Sequence, residues 1–162
     1  QMAAALAYLQ DNGLTEYGEL EKKAAETTDC FHVLSDRIKQ TENAMNTNRE
    51  LKTATVQYAR TRPVFEKYKA AKYSRKFLAE HEADIELYRA AQADLKRLLD
   101  GAKLPKMDVL KEEGRRLAEQ KRKLYAEYQR VRRDMQEVNT AKANIDYLLG
   151  YAGQDKKKEQ ER

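Results

Sequence analysis

The sequence holds one cysteine, two prolines, six glycines and no tryptophan in 162 residues. Cys30 has no partner for an internal disulfide, which fits a reducing compartment, and a cytoplasmic location is expected. Its own expected place is that of a small buried apolar residue. So little Gly and Pro leaves few turn residues for a loop-rich domain. Nine Val and Ile together cannot furnish a strand-rich one. No long apolar run exists, so no segment is expected to insert in a membrane. The chain opens on Gln1, and Met2-Ala-Ala-Ala-Leu-Ala lacks the basic start of a signal peptide, so it reads as a piece of a longer protein.

What is present is helix-forming. Ala, Glu, Leu, Lys and Arg supply 88 residues, slightly over half, a composition that points to long helices and an all-α fold. Leu, Ile, Val and Phe total 29 and 36% of residues are charged. A wide core could not be filled from that stock, whereas a thin one could.

Apolar periodicity fixes where the helices lie. Leu20, Ala24, Thr27, Phe31, Leu34, Ile38, Thr41 and Met45 follow Tyr17 in alternating steps of four and three, a heptad seam that weakens through Asn48, Leu51 and Thr55 to Tyr58. With Thr15 as N-cap and Pro63 marking a break, one helix is predicted over 15–61, about 70 Å at 1.5 Å per residue. A second seam passes through Leu110, Gly114, Leu117, Lys121, Leu124, Tyr128, Val131, Met135, Val138, Lys142, Ile145 and Leu149. Pro105 and Gly150 bound it, so a matching helix is predicted over 105–150. Two equal helices some forty residues apart can pair antiparallel as a coiled-coil hairpin, with the polar seam positions fixing register.

Residues 62–104 concentrate Phe65, Tyr68, Tyr73, Phe77, Ile85, Tyr88, Leu95 and other apolar side chains, and are expected to form a knob of short helices at the hairpin tip. Pro63 can open one helix, Ser74 can cap another, and a third is predicted from about Glu82 to Leu99 before Gly101. Residues 1–14 are expected to form a short helix and turn, and 151–162, with Lys156-Lys157-Lys158, a flexible basic tail.

Charge is uneven. Residues 51–80 carry eight Lys and Arg against two Asp and Glu, and 101–133 carry eleven against five, whereas 1–50 carry five against nine. In an antiparallel hairpin both basic stretches fall on the same half. Arg60, Arg62, Lys67, Lys69, Lys72, Arg75 and Lys76 would face Lys106, Lys111, Arg115, Arg116, Arg122 and Lys123, with Lys52 and Lys103 nearby. Such a field attracts phosphate, and Tyr68, Tyr73 and Tyr125 are interleaved for base stacking. The competing reading is a solvated helix surface whose Glu residues at helical spacing absorb the charge, with the tyrosines as knob core.

Catalytic chemistry has no foothold. His32 and His81 are the only histidines, and no Cys-x-x-Cys, His-Glu-x-x-His or glycine-rich phosphate loop occurs, so no metal or cofactor is expected. Cys30 and His32 stand two apart and would point to different helix faces, and Glu112-Glu113 should be solvated.

The tract LKEEGRRLAEQKRKLYAEYQRVRRDMQEVNTAKANIDYLL at 110–149, with VFEKYKAAKYSRKFLAEHEADIELYRAAQADLK at 64–96, resembles the C-terminal helical region of MobA-type relaxases, the mobilisation proteins of conjugative plasmids and transposons. The resemblance implies a segment that follows the family's nicking domain, whose tyrosine nucleophile and metal-binding histidines have no counterpart here. It implies a non-catalytic role in conjugation and plasmid transfer: holding DNA, contacting relaxosome or coupling proteins, or dimerising the relaxase. A protein-interaction coiled coil without DNA contact is the alternative, with homodimerisation through seam residues such as Phe31, Leu34, Ile38, Val131, Met135 and Val138.

Overall fold

The computed structural model describes residues 17–160, together with 3, 4 and 7; of Leu149 and 151–160 it describes the backbone alone. The fold is all-α, with no strand among the described residues. From residue 17 onward the described residues form four helices in order: α1 (Tyr17–Ala70), α2 (Arg75–Glu80), α3 (Glu82–Leu99) and α4 (Met107–Gln160). The chain divides into two compact units, one made by the stretch up to Ile38 with the stretch from Lys123 onward, the other by Lys39–Arg122.

In the first unit α1 and α4 pair antiparallel through two small apolar clusters. Leu20 and Ala24 pack with Val138 and Ala141, and Ile145 leans on them. Leu34 and Ile38 pack with Leu124 and Val131, flanked by Phe31 and Tyr128, whose rings meet at 4.9 Å. Leu20 and Val138 are 0% exposed, and full burial of such a side chain is worth about 1.5–3 kcal/mol. Met135 is half-buried between the clusters' positions on α4.

In the second unit Met45 is half-buried and Asn48 buried on α1, while Leu110 and Leu117 are buried on α4. Asn48 Nδ2 donates to the Leu110 carbonyl at 2.9 Å, and Lys121 reaches Glu42 at 3.5 Å. Farther along, α1 packs on α3: the Phe65 and Tyr88 rings stack at 4.1 Å, Tyr58 stacks on Tyr88 at 5.1 Å, and Arg97 meets Glu50 at 3.6 Å. Acidic residues in the first turn of α3, Glu82 and Asp84, and basic ones in its last, Lys96 and Arg97, match the helix dipole.

Polar seam positions are buried at little cost because their hydroxyls bond within their own helix. Thr27 Oγ1 donates to the Lys23 carbonyl and Thr61 Oγ1 to that of Gln57, each at 2.7 Å. Each leaves its methyl for the seam. Among the described residues no buried side-chain polar atom lacks a partner.

Several boundaries differ from those read in the sequence. The first long helix does not stop at 61; it continues through Pro63 to Ala70. A proline interrupts the bond its N–H would give the carbonyl four residues back, here Ala59, at a cost of about 3 kcal/mol. Ala59 and Pro63 are both exposed, so water can serve that carbonyl, and the burial of Thr61 and Tyr68 with Phe65 beside α3 offsets the loss. The knob's helical part is therefore shorter than 62–104. The second helix begins at Met107, past Pro105, and runs through Gly150 to Gln160, where a flexible tail was expected. No proline follows Pro105, and a helical glycine costs only about 1 kcal/mol. The predicted short helix and turn over 1–14 and the Thr15 cap lie outside the described residues, 3, 4 and 7 apart. Cys30 is exposed rather than buried; it lies between the seam positions Thr27 and Phe31 and belongs to neither.

Candidate functional site

Within the Lys39–Arg122 unit the basic stretches of α1 and α4 border two adjoining grooves. One, of about 490 Å³, is lined by the apolar Val56 and Met107 and by the cations Lys52, Arg60 and Lys111, with Thr53 and Gln57. The other, of about 350 Å³, shares Lys52 and Lys111 and adds Arg49 and Arg115 around Asn48 and Gly114. Neither groove is lined by a carboxylate. Spacing builds the lining: Lys52, Val56 and Arg60 recur every fourth residue on α1, as Met107 and Lys111 do on α4, so each set occupies one helix face.

Arg60, Arg62, Lys67, Lys69, Lys72, Arg75 and Lys76 are all exposed, as are Lys106, Lys111, Arg115, Arg116 and Arg122 in the same unit. Lys123, the next residue of the same helix, is exposed too. These cations divide by their partners. Arg115 pairs with Glu112 at 3.2 Å, Arg116 with Glu113 at 2.6 Å and Arg122 with Glu119 at 2.7 Å, all one helical turn apart. Arg62 meets Glu66 at 4.0 Å. The Arg116 guanidinium bonds Glu113 so closely that this carboxyl is held below the usual carboxylate range. Lys52, Arg60, Lys67, Lys69, Lys72, Arg75, Lys76, Lys103, Lys106 and Lys111 make no ion pair among the described residues.

The aromatics separate as well. Tyr68 is buried and belongs to the core, so it cannot stack on a base. Tyr73 and Tyr125 remain exposed, the latter in the first unit. Tyr88 is buried, and its hydrogen bond to Tyr58, then burial, pushes its hydroxyl up to about 12. Arg49, Val56 and Met107 were not singled out in the sequence, although the fourfold spacing of the groove residues was there to be seen.

Neither histidine joins a constellation. His32 is exposed, and His81 is half-buried against Phe77 at 4.3 Å, its backbone N–H closing α2. Among the described residues no three His, Cys, Asp or Glu side chains gather as metal ligands. No described helix is long and apolar enough to cross a membrane. No protein-family model, curated protein or solved structure matches the chain.

Proposed function

We propose that this chain is a non-catalytic helical module that holds DNA through the cations of the Lys39–Arg122 unit, and that it serves a cytoplasmic MobA-type relaxase in conjugative mobilisation alongside relaxosome or coupling proteins. The observation that supports DNA contact is the set of ten cations without a carboxylate partner among the described residues, several of them lining grooves that have no carboxylate in their walls. Unpaired Lys and Arg can replace the counterions condensed on a phosphate backbone, and that release drives sequence-independent binding. Association through the seam is less well supported. Leu34, Ile38, Leu124, Val131 and Val138 are buried within one chain, so a partner could reach them only if helices were exchanged.

Fluorescence anisotropy with a labelled duplex, between 50 and 200 mM salt, tests the reading. Contact with about six phosphates gives a log–log slope near −5 and an affinity loss of about 10³ over that range. Reversing charge together at Lys52, Arg60, Lys106 and Lys111 should flatten the slope by about 3 to 4 for every sequence tried. Absence of salt-dependent binding at 50 mM, or an unchanged slope in the reversed variant, would overturn the proposal.

A further inference from the structure

The end of α1 is built in an unusual way. The Lys72 N–H donates to the Lys69 carbonyl at 2.9 Å and the Tyr73 N–H to the Tyr68 carbonyl at 3.0 Å. This pair of bonds is a Schellman closure, which needs one left-handed residue, ordinarily glycine, at the place Lys72 holds. Lys72 has φ 54°. Tyr73 follows with φ 59°, a second left-handed residue that the closure does not require. Two side chains that rarely adopt this conformation thus stand side by side, and no glycine occurs between Gly18 and Gly101.

Tyr73 is also placed for contact. Its ring meets Tyr68 edge to face, centroids 5.2 Å apart at 89°, and Tyr68 lies nearly parallel to Phe77 at 6.0 Å. The ring is therefore braced, yet Tyr73 remains 54% exposed. Around it stand Lys67, Lys69, Lys72, Arg75 and Lys76, with no Asp or Glu between Glu66 and Glu80, and none of the five makes an ion pair among the described residues. The contact with Tyr68 accounts for an apolar residue at position 73. It does not account for the half-open face, the added left-handed residue or the uninterrupted positive charge.

We infer that the Lys72–Tyr73 turn is a contact site for single-stranded DNA, Tyr73 stacking on an unpaired base while Lys69, Lys72, Arg75 and Lys76 hold the flanking phosphates. The inference rests on the DNA reading above and narrows it. Bases inside a duplex are already stacked on one another, so a displayed ring gains only from a strand whose bases are free, and such stacking is indifferent to sequence.

Anisotropy titrations of a labelled 20-nucleotide oligothymidylate and a 20-base-pair duplex separate the two claims. Tyr73→Gly suits the left-handed backbone while removing the ring. It should weaken oligothymidylate binding about tenfold and change duplex affinity by no more than about twofold. Tyr73→Trp, with a larger stacking face, should tighten the single strand a few-fold. Tyr125→Ala serves as the control for loss of an exposed ring elsewhere. If Tyr73→Gly loses helix by circular dichroism, photocrosslinking of the unaltered protein to a bromodeoxyuridine oligonucleotide decides. A crosslink mapping to Tyr73 supports the site, and crosslinking that avoids residues 69–76 overturns it. Unaltered protein that binds duplex but no single strand, or a folded Tyr73→Gly with undiminished oligothymidylate affinity, overturns this inference and leaves the DNA reading intact. Binding to neither nucleic acid overturns both.

Discussion

Gly114 offers a substitution whose two consequences have opposite sign. It sits inside α4, where replacing glycine by alanine ordinarily gains about 1 kcal/mol by removing backbone freedom from the unfolded chain. A Cβ at this position would lie 2.9 Å from Asn48 Oδ1 and 3.4 Å from Lys52 Nζ. The lysine end can swing away. Asn48 is buried, and its amide is tied to the Leu110 carbonyl at 2.9 Å. Making room therefore means pressing the helices apart, at about 1–3 kcal/mol, or turning Asn48 and stranding its buried amide, at about 1–3 kcal/mol. Set against that gain, Gly114→Ala should lose up to about 2 kcal/mol net, lowering the thermal midpoint by up to about 6 °C for a chain of this size. Gly150 provides the internal comparison, since it also lies in α4 with nothing within 4 Å of its would-be Cβ. Gly150→Ala should be neutral or gain up to about 1 kcal/mol. With Asn48→Ala in place, Gly114→Ala should change sign and become stabilising, a coupling of about 2 kcal/mol in the double-mutant cycle. Urea titrations followed at 222 nm measure all four. A Gly114→Ala protein more stable than the parent, or an effect that persists unchanged beside Asn48→Ala, would refute the close approach of α1 and α4 at this point.

Two further outcomes follow from groups in the second unit. Because the Tyr88 hydroxyl is pushed up to about 12 in the folded chain and titrates near 10 when unfolded, the fold favours its protonated form. That contribution is whole below pH 10 and is lost as pH rises through 12. Tyr88→Phe should remove the highest step this residue adds to the absorbance titration at 295 nm and shrink the stability loss between pH 10 and 12. Tyr17, raised chiefly by its hydrogen bond to Asp146, titrates in both proteins and cancels in the comparison; identical curves would refute the assignment. Glu112, Glu113 and Glu119 each cover an arginine on the surface of α4, so their joint replacement by Gln should leave stability little changed and tighten duplex binding about three- to tenfold at 50 mM salt. Anisotropy reads the second effect, and weaker binding would count against the DNA proposal.

What the sequence displayed legibly were features decided by near neighbours. The span Glu82–Leu99 is framed by its own charges and by Gly101, and the Ser74 side chain accepts the Phe77 N–H at 3.4 Å as a short-helix cap. Along α4, Leu110, Leu117, Leu124, Val131 and Val138 recur every seventh residue, all buried. Features decided by distant partners were hidden. Pro63 looks like a stop because the price of crossing it is local, whereas the compensation comes from Tyr88, twenty-five residues on.

The deepest of these hidden features also shapes the candidate site. Buried residues on α1 recur at intervals of seven through Leu20, Thr27, Leu34, Thr41 and Asn48, then step by six to Ala54 and resume by sevens at Thr61 and Tyr68. Dropping one residue turns the buried face by about 100° around the helix axis. An unbroken heptad would have pointed Thr55, Arg62 and Lys69 inward, two of them cations that a thin core could not hold unpaired. With the step, Ala54, Thr61 and Tyr68 take the inner face, and Arg60, Arg62, Lys67 and Lys69 stay outside. Val56, on neither face, lies exposed beside Lys52 and Arg60. One missing residue in a repeat thus does two jobs: it lets α1 change partners, and it keeps the cations of the second half of that helix at the surface, where a phosphate could reach them.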